Sequence, residues 1–257
     1  MLIDTHCHLN FKDFGSDRDE IINRCLSNDI YIINIGADYE TSQKAIEIAE
    51  KYKRGVYASV AIHPHNIKSE PAKSFTFRRV DFLALAKKSK VVAIGETGLD
   101  YEFCENDLEM QKKQQEIFIQ HLKLAQEVNK PLIIHSRRLF PEILKILQAT
   151  SYKLQAVLHC YMGRWSYAEE YLKMGFYLSF TGLITYARDY DKVIKNCPLN
   201  RILLETDAPY LSPDREKRNT PLNVKYVAEK IAEVKGISFD QVADQTTKNA
   251  KKLFNLV

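Results

Sequence analysis

Short apolar segments alternate with longer amphipathic segments along the whole chain. The short segments are rich in Val and Ile and are bounded by turn residues, which is typical of buried parallel strands. Strands are predicted at residues 2–8, 31–37, 56–63, 91–96, 131–136, 154–160, 176–182 and 202–207. Helical spacing of apolar residues predicts helices at 17–28, 41–53, 77–88, 107–129, 141–149, 166–174 and 186–196, and two more between 223 and 254.

Eight strands that alternate with helices indicate one parallel sheet, and eight such units favour closure into a (β/α)₈ barrel. An open, doubly wound sheet is the alternative. The length of 257 residues suits a barrel, which needs roughly 250. The sequence has no linker or low-complexity tract. We therefore expect an α/β protein with a single barrel domain over residues 1–257.

The composition limits the substrate charge and the cellular compartment that can be expected. The chain has 37 basic and 33 acidic residues and a net charge of +4, which permits a polyanionic substrate without implying one. Its five cysteines form no C-x-x-C pair, a pattern that favours free thiols in a reducing compartment. We find no signal-peptide pattern and no run of about 18 apolar residues. A cytoplasmic protein without a membrane partner is expected.

Most of the histidines occupy one kind of position in this pattern. Five of the seven fall at the C-terminal ends of predicted strands, as do one glutamate and one aspartate. In (β/α)₈ barrels, these strand ends form the rim that carries the active site. The residues concerned are His6, His8, His63, Glu96, His135, His159 and Asp207.

Their spacing favours a metal site. Side chains alternate across a strand, so His6 and His8 share one face and form a two-nitrogen chelate. Imidazole and carboxylate donors from several strands suit two divalent cations, with Zn²⁺ or Mn²⁺ more natural than Mg²⁺. The same alternation places Glu205 beside Asp207. Glu205 either orients a metal-bound histidine or pairs with a core cation. His121, in the middle of a predicted helix, is interpreted as structural.

Several motifs, in this order along the chain, resemble those of the TatD family of metal-dependent deoxyribonucleases, which belongs to the amidohydrolase-like barrels. They are DTHCHL (4–9), IHPH (62–65), AIGETGLD (93–100), PLIIHSR (131–137), LHC (158–160), SFTG (179–182), ETDAPYLSP (205–213) and RNTPLNV (218–224). The chain departs from the usual family pattern beside these motifs, at Ala61, at 161–163 and at Thr220.

The resemblance implies a metal-dependent hydrolase that cleaves phosphodiester bonds of DNA, as an exonuclease with a preference for single strands. It implies that Glu96 bridges two ions, that Asp207 orients or deprotonates the attacking water, and that His63 lies at the substrate phosphate. The metal ligands implied are His6, His8, Glu96, His135, His159 and Asp207.

Rim residues are the expected substrate contacts. Arginines suit phosphate groups, and aromatic rings can stack on unpaired bases. The basic candidates are Arg137, Arg138, Arg164, Arg215 and Arg218, and the aromatic candidates are Tyr101, Phe103, Tyr161, Trp165 and Tyr210. Among them, Arg137 and Tyr161 are assigned to substrate binding.

Two other functions remain open at this point. The same site could hydrolyse an ester or amide, for example in an aminoacyl-tRNA deacylase. A barrel that only binds nucleic acid or a partner is the third hypothesis, although such a protein has no need of the ligand set. The sequence leaves the oligomeric state open, and a monomer is compatible with it.

Overall fold

The computed structural model describes residues 1–67, 78–102, 104–150 and 152–256. In these residues, eight strands form one parallel sheet whose spatial order follows the chain. The strands are β1 (Leu2–Cys7), β2 (Ile30–Ile35), β3 (Val56–Val60), β4 (Val91–Leu99), β5 (Leu132–Ser136), β6 (Ala156–Leu158), β7 (Tyr177–Phe180) and β8 (Ile202–Leu204).

Nine helices are described, and the first seven connect successive strands. They are α1 (Arg18–Ser27), α2 (Tyr39–Glu50), α3 (Arg79–Ala86), α4 (Leu108–Val128), α5 (Phe140–Ala149), α6 (Trp165–Lys173), α7 (Asp191–Asn196), α8 (Val224–Lys235) and α9 (Phe239–Phe254). The predicted start of the third helix, Phe77, lies outside the described residues. The predicted helix at 186–196 is shorter, because a separate 3₁₀ turn over Arg188–Tyr190 precedes α7.

The chain beyond β8 closes the sheet onto β1. Cys7 pairs with Ala208 in a parallel bridge, and the Ala208 carbonyl accepts a hydrogen bond from the His8 amide at 2.7 Å. Nearby, the buried Asp4 carboxylate accepts from the Thr206 amide at 2.9 Å and from its hydroxyl at 2.5 Å. The predicted barrel is confirmed, and the open sheet is excluded.

Apolar side chains fill both the barrel and the layer around it. One cluster of buried residues joins the barrel to its helices, whereas a second contains Ile33, Ile133 and Leu203 together with Leu253 and Phe254 at the end of α9. The long apolar runs of the strands are explained by this burial on both faces. None of the described helices is long and apolar enough to cross a membrane.

Candidate metal centre

Glu96 lies at the centre of a cluster of histidines. It projects from β4, is buried, and every ion pair it makes with the described residues is with a histidine. Its Oε2 atom faces the first strand, at 3.2 Å from His6 Nε2 and 3.9 Å from His8 Nε2. The pairing register of β1 shifts between Asp4 and Cys7; His6 lies within this shift and His8 just beyond it, and both imidazoles face Glu96.

Asp207 completes this first group of donors. It follows β8 in a left-handed conformation, with φ of 57°. Its Oδ1 atom is 3.6 Å from His6 Nε2 and 3.4 Å from His8 Nε2, and the two nitrogens are 3.3 Å apart. Donors that surround one ion tetrahedrally at 2.0–2.2 Å are about 3.3–3.6 Å from one another. The four side chains therefore fit a divalent ion.

The other oxygen of Glu96 faces a second group of nitrogens. Its Oε1 atom lies 2.7 Å from His135 Nδ1, 3.6 Å from His159 Nε2 and 3.5 Å from His63 Nε2. No lysine or arginine among the described residues pairs with this carboxylate. A buried carboxylate that faces several imidazole nitrogens and no lysine or arginine suits a bound cation, so this side of Glu96 also fits a metal ion.

Glu205 holds the far edge of the imidazole of His159. Its Oε1 is 2.8 Å from His159 Nδ1 and accepts from the Cys160 amide at 2.6 Å, while its Oε2 accepts from the Ser179 hydroxyl at 2.6 Å. Burial lowers the pKa of His159, but Glu205 and Glu96 outweigh burial and raise it to about 10. No core lysine or arginine pairs with Glu205 in the described residues.

Asp100 is a contributor that the sequence patterns did not single out. It is fully buried just beyond β4, and its Oδ2 lies 2.6 Å from His65 Nε2 and 3.3 Å from His135 Nε2. Gln114 on α4 fixes the Asp100 backbone through two hydrogen bonds. The only available signal was its position at the end of the AIGETGLD motif, on the same rim as the histidines.

The electrostatics of the cluster keep its carboxylates ionised. Burial raises the pKa of Glu96, but the surrounding imidazoles, His63 foremost, outweigh it and bring the pKa well below its usual value. Burial likewise raises the pKa of Asp207, whereas the hydrogen bond with His8 and the other imidazoles lower it overall. Burial also lowers the pKa of His63 to about 4. Neutral imidazoles and ionised carboxylates are the forms that bind metals, so a bound ion would displace the protons that the raised pKa values of His135 and His159 favour.

A cleft of about 480 Å³ opens onto this cluster. His63 and Arg137 line it together with Tyr210, which is 52% exposed. Arg137 also forms an ion pair with Glu102 at 2.6 Å. A larger cleft of about 730 Å³ lies beside α8 and contains none of the ligand candidates, so cleft size does not locate the site.

Tyr161 must be corrected as a substrate contact. Its side chain is only 2% exposed, its hydroxyl donates to the Arg164 carbonyl at 2.8 Å, and its ring packs on Phe140. It supports the loop after β6 and cannot stack on a base. Arg218 is likewise occupied, because it pairs with Asp17 and lies over the Phe14 ring.

His121 lies on α4, outside the cluster. It is fully buried; its Nε2 accepts from the Ile62 amide at 3.1 Å, and its Nδ1 is 2.8 Å from the Ile117 carbonyl. These contacts agree with a structural role. The predicted aromatic contact Phe103 lies outside the described residues.

Known proteins match this chain over its whole length. The sequence model of the family described as TatD related DNase matches residues 3–255. The chain is 39% identical over 262 residues to the metal-dependent hydrolase YabD of Bacillus subtilis, covering all of both chains. It is 33% identical over 260 residues to the human deoxyribonuclease TATDN3, covering 98% of this chain and 94% of that one.

Solved structures agree with the sequence relatives. The TatD homologue YJJV of Escherichia coli superposes with a TM-score of 0.89 at 29% identity, covering 100% of this chain and 98% of that one. A TatD family hydrolase of Entamoeba histolytica superposes with a TM-score of 0.83 at 25% identity, covering 98% of this chain and 97% of that one.

The fold and the matched relatives define a metal-dependent hydrolase built on a (β/α)₈ barrel. Within that class, the chain belongs to the TatD family.

Proposed function

We propose that this protein is a deoxyribonuclease that hydrolyses phosphodiester bonds with two divalent ions, in one barrel domain spanning residues 1–257. The observation that carries the proposal is the position of Glu96, whose two oxygens face two separate groups of donors. Two ions bound in this way would activate a water molecule and stabilise the charge of the leaving oxygen. Mixed imidazole and carboxylate donors favour Zn²⁺ or Mn²⁺ over Mg²⁺.

The chain's own residues divide the remaining tasks. Asp207 has an ionised carboxylate beside the first group of donors, where it can orient the attacking water or accept its proton. His63 and Arg137 line the cleft at the level where a substrate phosphate would lie. The side chain of Arg137 is 44% exposed. It can therefore leave Glu102 and bind a phosphate with little rearrangement.

The limited access to the centre supports single-stranded DNA as the substrate, and we propose that the strand is cleaved from an end. The ligand candidates lie at the floor of the cleft, where the most exposed of them, His135, has only 19% of its side chain accessible. A flexible unpaired strand can bend its backbone into such a cleft more readily than a stiff duplex. The names of the family and of the human relative support DNA.

The five cysteines bear on where the protein works. All five are buried and free of disulfides, which supports a reducing compartment such as the cytoplasm.

The test is nucleotide release from end-labelled DNA. The purified protein is stripped with a chelator, and Mg²⁺, Mn²⁺ or Zn²⁺ is then restored singly, with single strands and duplexes compared side by side. We expect metal-dependent release that is faster on single strands, is lost in Glu96→Ala and is retained in Glu50→Ala, a substitution on the exposed side of α2. Charged tRNA and small carboxylic esters are assayed in parallel.

The failure of this test would be informative. If the protein bound metal and released nothing from any DNA, the deoxyribonuclease proposal would be wrong. Hydrolysis of charged tRNA or of esters under the same conditions would then assign the centre to acyl substrates.

A further inference from the structure

A second groove lies on the same rim as the metal cleft, between the loop after β6 and the segment that leads into α7. Its volume is about 580 Å³. Side chains of several chemical types line it, and they include Met162, Arg164, Trp165, Tyr190 and Lys192. No ligand candidate of the metal centre lies among its lining residues, so the groove is separate from the cleft described above.

A short, well-anchored loop connects the groove to the metal centre. The chain runs six residues from His159 to Trp165, which limits the separation of their Cα atoms to about 20 Å. Buried Tyr161 secures this loop through its hydrogen bond to the Arg164 carbonyl. Gly163 packs so closely on the Tyr161 ring that an added Cβ would lie 2.4 Å from the hydroxyl oxygen. The wall of the groove that this loop forms is therefore anchored within about 20 Å of the reacting centre.

The aromatic side chains of the groove are suited to stacking. Trp165 and Tyr190 are both partly buried and pack against the hydrophobic core, while each also lines the groove. Rings held in this way lose little conformational freedom when a flat ligand binds. Met162, which is 39% exposed, adds a polarisable apolar surface beside them.

Two basic side chains without an ion-pair partner among the described residues line the groove beside these rings. Two of the five candidate rim arginines, Arg137 and Arg218, form ion pairs with acidic side chains. In contrast, Arg164 and Lys192 are exposed and have no ion pair or side-chain hydrogen bond with any described residue, and the same holds for nearby Arg138. The charge of Arg138 reaches the groove, where it lowers the pKa of Tyr190 against the larger raising effect of burial.

The groove also contains two acidic side chains, Glu169 and Asp189. The excess of positive charge is therefore small, and stacking is expected to contribute more than ion pairing. An unpaired nucleic acid strand combines flat bases with a phosphate at each step, and proteins bind such strands with aromatic platforms beside basic side chains.

We infer that this groove binds unpaired nucleotides of the DNA strand whose end lies in the metal cleft, with Trp165 and Tyr190 stacking on bases and Arg164 contacting a phosphate. The inference rests on the proposed deoxyribonuclease function and extends it, because it predicts that affinity depends on nucleotides beyond those that the metal cleft holds.

Trp165 is the only tryptophan of the chain and reports directly on the groove. The chelated protein is titrated with a thymidine strand of about a dozen nucleotides while tryptophan fluorescence is recorded. We expect saturable quenching. In Arg164→Ala, the quenching should require more DNA, and the slope of log affinity against log salt should fall by about 0.7. Arg54→Ala removes another exposed arginine, just before β3 at the opposite end of the barrel, and should bind like the wild type.

Kinetics provide a second measurement that needs no reporter residue. In Trp165→Leu, the KM for the long strand should rise about fivefold or more, while the KM for a thymidine dinucleotide should change by a smaller factor, because fewer of its bases can lie in the groove. If Trp165→Leu and Arg164→Ala both bound and cleaved the long strand like the wild type, the groove inference would be wrong and the nuclease would stand. If the wild type neither bound nor cleaved DNA, both proposals would fall together.

Discussion

Replacing Glu205 by glutamine tests whether this carboxylate acts on the metal centre through His159. Glu205 contacts three groups: His159 Nδ1, the Cys160 amide and the Ser179 hydroxyl. A glutamine carbonyl can keep the first two contacts, and its amide nitrogen can donate to the Ser179 oxygen, since a hydroxyl also accepts. The variant Glu205→Gln therefore retains shape and hydrogen bonds and removes one buried negative charge.

We expect Glu205→Gln to bind metal ions more weakly, because His159 becomes a weaker metal ligand. Without the carboxylate, the imidazole of His159 is a poorer electron donor at Nε2, and the centre loses a negative charge that attracts cations. Such partners of metal-bound histidines are typically worth 10–100-fold in metal affinity, which corresponds to about 1.4–2.7 kcal/mol. Part of this loss in metal affinity is offset, because His159 also binds a proton less tightly and the proton competes less with the metal ion.

Competition with a chelator of known affinity measures this loss, and circular dichroism checks the fold. Glu50→Gln serves as the exposed control. The variant Glu205→Ala should behave differently, because it leaves the buried Cys160 amide without an acceptor and should lower the free energy of unfolding by about 1–3 kcal/mol, whereas the Ser179 hydroxyl can still donate to the Leu158 carbonyl. Unchanged metal affinity in a folded Glu205→Gln protein would show that Glu205 is only structural, and the reasoning would be refuted.

Three further substitutions test neighbouring parts of the structure. Asp100→Asn should weaken metal binding about tenfold because the carboxylate orients His135; a chelator titration equal to the wild type would contradict this. His63→Ala should raise the KM for DNA about tenfold or more and leave metal content unchanged, whereas lost metal would make His63 a ligand. In the metal-free protein, His121 is neutral because burial lowers its pKa to about 4. As the pH falls from 7 to 5, the unfolded state gains a proton that the folded state excludes, so the wild type should lose about 2 kcal/mol of stability relative to His121→Gln. If urea denaturation showed that the wild type and His121→Gln lose the same free energy of unfolding between pH 7 and pH 5, this prediction would be refuted.

The hydrophobic pattern predicted the barrel well because its strands are buried on both faces and its helices on one. It was less informative about where strands end. β8 stops at Leu204, and the chain beyond it turns, so Glu205 and Asp207 do not act side by side on one strand face. Glu205 supports His159, whereas Asp207 faces the histidines of β1.

Residues whose roles depend on tertiary packing were the hardest to predict. A tyrosine next to a predicted ligand looks like a substrate contact in the sequence, but Tyr161 is folded back onto Phe140. The sequence patterns did not single out Asp100, because only the folded chain brings His65 and His135 to the same oxygen. The groove beside Trp165 depends on two loops that are distant in sequence, and no local pattern reveals it.

Metal stoichiometry tests the two-ion centre most directly. The stripped protein is titrated with Zn²⁺ or Mn²⁺, and bound ions per chain are counted by elemental analysis after removal of free metal. We predict two ions per chain in the wild type and at most one in Glu96→Ala, with the fold retained, because each oxygen of Glu96 serves one group of donors. A wild-type protein that bound a single ion, or a Glu96→Ala variant that still bound two, would contradict the shared carboxylate.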